Sequence, residues 1–134
     1  MRGGRTALLV VDMLNAYEHA DADALAESVR HAVPNIAGLI DRARRTDTPL
    51  VWVNDNYGDW NSSSEELARR ALAGQATEQC ILYSALDGYV RHFDVGVPRD
   101  AVAHIHPHLA EAAIEMMERN MRAEVARAEQ LRLA

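Results

Sequence analysis

Residues 6–14 read TALLVVDML, a run of β-branched and other apolar residues with a carboxylate, Asp12, near its end. A continuous run of this kind is typical of a parallel strand that is buried on both faces. A second short run, TPLVWVND at 48–55, is introduced by Pro49 and closed by polar residues, which indicates another buried strand. Two buried strands separated by a helical pattern predict the α/β class.

Helical and strand patterns alternate along the rest of the chain. Residues 21–45 predict a crossover helix that Pro34 kinks or breaks into two pieces. Residues 57–73 predict a polar loop followed by a short helix. DVGVP at 94–98 predicts a third strand, and residues 109–133 predict one long helix rich in Ala, Glu, Met and Arg.

A further amphipathic helix is predicted over residues 77–93. Its apolar face consists of Ile81, Leu82, Ala85, Leu86, Tyr89 and Val90. The order of strands and helices predicts a doubly wound, Rossmann-like parallel sheet. With 134 residues, 49% of them hydrophobic and 25% charged, the chain 1–134 is expected to form a single globular domain.

Composition excludes several classes of partner. The net charge of −6 offers no basic surface for nucleic acid or an anionic membrane, so a small uncharged or cationic substrate fits better. No apolar run approaches the roughly 18–20 residues that span a bilayer, and no cleavable signal pattern is present, so we expect a cytoplasmic protein. The chain has one cysteine, Cys80, and all 14 basic residues are arginine.

Cys80 lies in the turn GQATEQC (74–80) at the head of the helix predicted over 77–93. A helix N-terminus stabilises a thiolate and a tetrahedral oxyanion through unpaired N–H groups and the helix dipole. A carboxylate at the carboxyl end of a neighbouring strand, such as Asp12, can accept the thiol proton. The alternative interpretations are an inert, packed cysteine and a turn-forming aspartate.

The stretches LLVVDMLNAY, PLVWVND, GQATEQCILYSALDGYVRHFDVGVPRDAVA and MMERNM resemble the isochorismatase-like cysteine hydrolases, which include nicotinamidase-type and other amide-cleaving members. The resemblance covers nearly the whole chain. It implies a hydrolase with a parallel sheet in a three-layer α/β/α sandwich. Nicotinamidase-type relatives carry a metal on an Asp and histidines after the second strand, but NDNYGDWNSS (54–63) has no histidine, so we expect no metal and no cofactor. The resemblance also implies that Cys80 is the nucleophile, that Asp12 is the general base, and that the amides of Thr77 and Cys80 form an oxyanion hole. Family members often have a non-proline cis peptide just before this Thr.

The chain departs from the family pattern between residues 73 and 74. Members carry a catalytic lysine on one strand and have another strand before the turn, whereas here the helix at 57–73 leads directly into GQATEQC and lysine is absent. We therefore predict an internal deletion of a β-α-β stretch that removes one or two strands and impairs activity. The alternatives are an inactive remnant that oligomerises or binds a small molecule, and a thiol redox sensor.

Two weaker patterns complete the prediction. Asn54, Asn56, Tyr57 and Trp60 follow the second strand and are candidates for a substrate pocket or for a solvated loop. His104, His106 and His108 alternate, but Pro107 favours a loop and a helix start, so we predict no metal site. The apolar stripe of Met116, Met117 and Met121 suits a subunit contact in a homo-oligomer.

Overall fold

The computed structural model describes residues 6–13, 20–54 and 76–133. The chain begins with β1 (Leu8–Val11), α1 (Ala22–Arg45) and β2 (Leu50–Val53). After Ala76 it continues with a π-helical turn (Thr77–Ile81), α2 (Leu82–Val90), β3 (Gly96–Pro98), α3 (Pro107–Met121) and β4 (Glu124–Ala126). The mixed α/β class with parallel strands is confirmed.

The described strands form two parallel pairs. β1 pairs with β2, with Leu8 opposite Leu50, and β3 pairs with β4, with Val97 opposite Val125. Within the described residues these pairs are separate two-stranded sheets, so they do not form the continuous sheet that the strand order predicts.

Helix α1 runs without a break through Pro34, so the predicted division into two helices is wrong. Its buried side chains lie on both sides of the proline: Leu25, Val29, Ala32, Leu39 and Ala43. Packing of this one face outweighs the backbone hydrogen bond that a proline removes.

The predicted helix over 109–133 is wrong at its C-terminal end. Helix α3 begins at Pro107 and ends at Met121, where Arg122 adopts a left-handed conformation with φ 55°. Residues 124–126 then form β4 beside β3. The open edge of β3 supplies a ladder partner for these residues, and local helix propensity does not contain that information.

The apolar face predicted for 77–93 is only partly buried. Ala85 is buried, and Ile81 and Leu82 pack against its cluster. Leu86, Tyr89 and Val90 are exposed, Val90 by 63%. Burial is therefore concentrated in the first turns of α2, where it meets α3.

Within the described residues the core consists of three apolar clusters. The first joins α2, β3, α3 and β4 around Met117, which is fully buried. The other two lie along α1: Leu25, Val29 and Ala32 pack with Ala103, and Leu39 packs with Ala101 and Ala128. Helix α1 is thus the element that connects β1 and β2 to the C-terminal half. None of the helices in the described ranges is long and apolar enough to cross a membrane.

Candidate functional site

Cys80 lies in the π-helical turn that precedes α2. Ala76 is extended, with φ −161°, and its carbonyl accepts hydrogen bonds from the N–H groups of Gln79 at 3.0 Å and Ile81 at 3.3 Å. The Cys80 residue is half-buried. Single π-turns inside helices are frequent at functional sites, and the structure confirms the predicted placement of Cys80 at the head of a helix.

Thr77 anchors the start of this turn. It is buried, and both its N–H group and its Oγ1 donate to the carbonyl oxygen of Ala103, each at 2.7 Å. The Thr77 amide is therefore already bonded, and the oxyanion-hole role predicted for it requires that this bond break. No cis peptide occurs in the described residues, so the bond before Thr77 is trans, contrary to what the resemblance implies.

Glu78 fixes the turn against the start of α3. Its Oε1 accepts from the N–H groups of Ile105 at 3.1 Å and His106 at 2.8 Å. Its Oε2 is buried and has no hydrogen-bond partner within the described part of the chain. Glu78 could not be identified from the sequence, because its partners lie 27 and 28 residues away and leave no local signal.

Asp12 directly follows β1, at the predicted strand end. It is 4% exposed and adopts a left-handed conformation with φ 50°. Its N–H donates to the Val53 carbonyl at 2.7 Å, so the ladder between β1 and β2 holds its backbone. Aspartate is among the residues that tolerate this conformation best, and a buried carboxylate there is a candidate for function.

Asp12 follows β1, and Cys80 lies in the π-helical turn. β1 packs against β2 and α1, whereas the π-helical turn packs against α2 and α3. The predicted pairing of the two residues therefore stays a prediction. Asn54 is half-buried at the end of β2. Asn56, Tyr57 and Trp60, and the predicted deletion point at 73–74, lie outside the described residues.

The three alternating histidines do not act as one group. His104 is half-buried and faces α1, with its Nδ1 3.3 Å from Ser28 Oγ. His106 and His108 are exposed, with ring centroids 6.1 Å apart. Across the ranges that the structure describes, no three His, Cys, Asp or Glu residues are grouped so as to hold a metal ion.

Comparison with known protein families gives one domain match. The isochorismatase domain model matches residues 68–130. A curated relative, the uncharacterized isochorismatase family protein YaaI of Bacillus subtilis (strain 168), is 26% identical over 172 aligned positions, which cover 93% of this chain and 95% of the relative. Because 172 positions exceed the 134 residues of the chain, at least 38 of them are gaps in this chain.

Solved structures resemble this fold. YcaC from Pseudomonas aeruginosa, with hexane-2,5-diol and covalent acrylamide, has a TM-score of 0.52 and 19% identity, covering 93% of this chain and 77% of that chain. YcaC from Escherichia coli, an octameric hydrolase of unknown specificity, has a TM-score of 0.51 and 21% identity, and the match covers 92% of this chain and 75% of that chain. The nicotinamidase/pyrazinamidase PncA from Bacillus subtilis has a TM-score of 0.42 and 25% identity and covers 66% of this chain, which spans 52% of that structure.

Proposed function

We propose that this chain is an isochorismatase-like cysteine hydrolase that cleaves a small amide or a related C–N or ether bond. The domain match over residues 68–130 and the 26% identity to YaaI support this proposal. Cys80 is the nucleophile and Asp12 the base in this proposal. The observation that carries it is the position of Cys80, half-buried in the first turn of a helix whose start is anchored by Thr77 and Glu78.

The anchored turn supports an activated thiol. The backbone dipoles of the π-helical turn and α2 place partial positive charge at the helix start, which favours the thiolate of Cys80. The carboxylate of Glu78 accepts hydrogen bonds from two backbone amides just before α3. These bonds compensate part of its negative charge. The site therefore combines a nucleophile with a rigid backbone support.

The proposed reaction proceeds through a thioester. The Cys80 thiol gives its proton to the Asp12 carboxylate, and Sγ attacks the acyl carbon to form a tetrahedral oxyanion. The C–N bond breaks as the proton passes from Asp12 to the leaving nitrogen. Water then attacks the thioester carbonyl and gives one proton to Asp12. The C–S bond breaks, the carboxylic acid leaves, and the proton passes from Asp12 to the Cys80 thiolate. No cofactor takes part in these steps.

We propose further that activity is impaired by an internal deletion near 73–74. Two observations support this: the alignment with YaaI contains at least 38 positions without a counterpart in this chain, and the described strands form two separate sheets. The sequence also has no lysine, and the planar guanidinium of arginine replaces an ammonium beside a thiolate poorly.

A second candidate function is a non-catalytic protein that oligomerises or binds a small molecule. The absence of a lysine from the sequence favours it. Exposed apolar side chains on β1 and β2, Leu9 and Trp52, support a homo-oligomer, and the E. coli YcaC structure is octameric. We propose neither nucleic acid nor a membrane as a partner.

The first test is the rate of iodoacetamide alkylation of Cys80 against pH, in buffer and in urea. We expect the rate in buffer to stay high well below the ordinary thiol pKa of about 8.5 and to fall to model-thiol behaviour in urea. Identical profiles in both solvents would contradict an activated thiol. The single cysteine makes the assay specific for this site.

The second test is hydrolysis of a panel of small amides by the intact chain and two variants. Cys80→Ser should abolish turnover, and Asp12→Asn should lower it by about 10²–10⁴-fold as expected for loss of a general base. Asp47→Asn is the matched control, because Asp47 is also an aspartate with positive φ (53°) but is exposed. Turnover that survives Cys80→Ser would exclude the cysteine hydrolase.

A further inference from the structure

Helix α2 is apolar on two faces, and the described part of the chain buries only one of them. Ala85 is buried, and Leu82 and Ile81 of the preceding turn pack against its cluster. A Cβ atom added at Gly88 would lie 3.2 Å from the side chain of Val95, so this face is closed against the segment that leads into β3. A helix that is apolar all round is normally buried all round. The second face of α2 therefore needs a partner that the described residues do not supply.

The second face carries five exposed apolar side chains, which we call the α2 stripe. They are Tyr83, exposed by 64%, Leu86 by 46%, Tyr89 by 39%, Val90 by 63% and Phe93 by 66%. Residues 83, 86 and 90 follow the i, i+3, i+7 spacing of one helical face, and residue 89 lies beside them. Phe93 follows the end of α2, where its N–H donates to the Gly88 carbonyl at 3.0 Å and His92 has φ 64°. This Schellman-type ending holds Phe93 at the C-terminus of the helix.

The size of the α2 stripe suits a weak complex. A fully covered aromatic side chain buries about 150–250 Å², so a partner over the exposed parts of the stripe would bury on the order of 500 Å² of this chain. A stable protein–protein interface buries about 800 Å² on each partner, whereas single exposed apolar residues need no partner at all. The stripe and its polar rim therefore fit a reversible, concentration-dependent complex.

A pair of opposite charges lies beside the stripe. Arg91 Nε donates to Asp87 Oδ2 at 2.8 Å, and both side chains are about two-thirds exposed. A strongly acidic or strongly basic partner would match one of these charges and repel the other. A second copy of α2 in antiparallel orientation matches both, because its charges run in the reverse order. Asp87 of each copy then lies near Arg91 of the other.

We infer that the α2 stripe is a dimer interface, at which two copies of this chain pack their α2 helices antiparallel across a two-fold axis. An axis at the level of residues 88–89 places Leu86 opposite Val90 of the second copy, with the charged pairs at the rim. The contact is isologous, so it closes at two copies. This interface goes beyond the proposed hydrolase, since it involves neither Cys80 nor Asp12, and it lies on a surface other than β1 and β2.

The first experiment measures the mass of the full chain against concentration by sedimentation equilibrium. We expect the mass to rise from one chain to two, and Val90→Lys to raise the dissociation constant by about tenfold or more, as loss of a central contact does. Val33→Lys on α1 and Val51→Lys on β2 are the matched controls, because both valines are 43% exposed on other surfaces. A chain that stays monomeric, or a dimer that Val90→Lys leaves unchanged, would overturn the inference.

Two charge variants test the antiparallel arrangement. Asp87→Arg and Arg91→Asp should each weaken self-association by about 2–30-fold, because two exposed ion pairs are replaced by repulsions. An equimolar mixture of the two variants should recover the dimer, since the basic rim of one meets the acidic rim of the other. The pair within each helix stays broken in the mixture, so recovery reports the contact between copies. A mixture that associates no more tightly than either variant alone contradicts the two-fold arrangement.

Three further outcomes separate this interface from its alternatives. A monomeric chain that co-sediments with phosphatidylcholine vesicles would assign the stripe to a lipid surface and overturn the dimer. A dimer that is lost in Val51→Lys and kept in Val90→Lys would move the contact to β2 and overturn it as well. Cys80→Ser should dimerise like the unaltered chain whether or not the chain hydrolyses amides, so failure of the proposed hydrolase and failure of the interface are distinct results.

Discussion

At the scale of single residues, Glu78 shows how one side chain organises the candidate site. Its carboxylate bonds two amides at the start of α3 and lies two residues before Cys80. A hydrogen bond from an amide to a charged acceptor is stronger than one to a neutral acceptor. A buried amide that is left without an acceptor costs its full desolvation free energy, which exceeds the net contribution of the hydrogen bond. Glu78 therefore couples the turn that holds Cys80 to the next helix.

We predict that Glu78→Ala lowers the free energy of unfolding by about 1–3 kcal/mol, because the amides of Ile105 and His106 lose their acceptor. Urea unfolding measures this change. Glu115→Ala is the matched control: Glu115 forms an exposed pair with Arg119 at 3.1 Å on α3, so its loss should cost about 0.3–0.5 kcal/mol. Equal losses of unfolding free energy in the two variants would show that the Glu78 contacts stabilise the fold no more than an exposed ion pair does.

At the scale of elements, the last turns of α1 hold the chain that follows β4. The Arg42 guanidinium donates to the carbonyl oxygens of Ala128 at 2.7 Å, Leu131 at 2.8 Å and Glu129 at 3.2 Å. Within the helix predicted over 109–133, the carbonyls of Ala128 and Glu129 would have been bonded to amides four residues on, whereas that of Leu131 would have lain in the unpaired last turn. Arg42 instead satisfies them in a turn, and the planar fork of a guanidinium suits several acceptors at once.

Arg42→Lys should lower the free energy of unfolding by about 1–3 kcal/mol, since an ammonium cannot reach three diverging carbonyls. Amide hydrogen exchange should accelerate first in residues 128–133. Arg44→Lys serves as the control, because Arg44 is exposed and pairs only loosely with Asp41 at 3.6 Å. Unchanged exchange in 128–133 would mean that Arg42 does not hold this segment.

At the scale of the whole molecule, two parallel strand pairs are connected through α1. Leu8 and Asp12 donate their N–H groups to Pro49 and Val53 of the neighbouring chain segment. In a parallel ladder the intervening residues, Leu9 and Val11, direct their backbone groups to the opposite edge. Leu9 is 50% and Trp52 54% exposed, whereas Met117 is fully buried.

We predict that the two halves open separately. Met117→Ala should cost about 2–5 kcal/mol, because Met117 is fully buried between α3 and its neighbours. Hydrogen exchange of α3 amides should accelerate in this variant, while exchange of the amides shared by β1 and β2, which already open at a lower free energy, should stay unchanged. Equal acceleration in both regions would show that the chain unfolds as one cooperative unit.

Features that depend on local pattern were predictable from the sequence. Continuous apolar runs at 6–14 and 48–55 correspond to β1 and β2, and DVGVP corresponds to β3. The helical spacing of 21–45 corresponds to α1, and Cys80 was placed correctly at a helix start. These features follow from side-chain periodicity and turn chemistry, which neighbouring residues determine.

Only the tertiary structure decided how these elements combine. The end of α3 at Met121 follows from the edge of β3, and the contacts of Glu78 and Arg42 join residues 27 to 89 positions apart. His104 likewise lies beside Ser28 only because α1 packs against the segment before α3. The sequence by itself determined most of the elements and the position of Cys80 at a helix start. The partners of these elements depend on long-range packing, whose free energy exceeds local propensity and has no short-range signature.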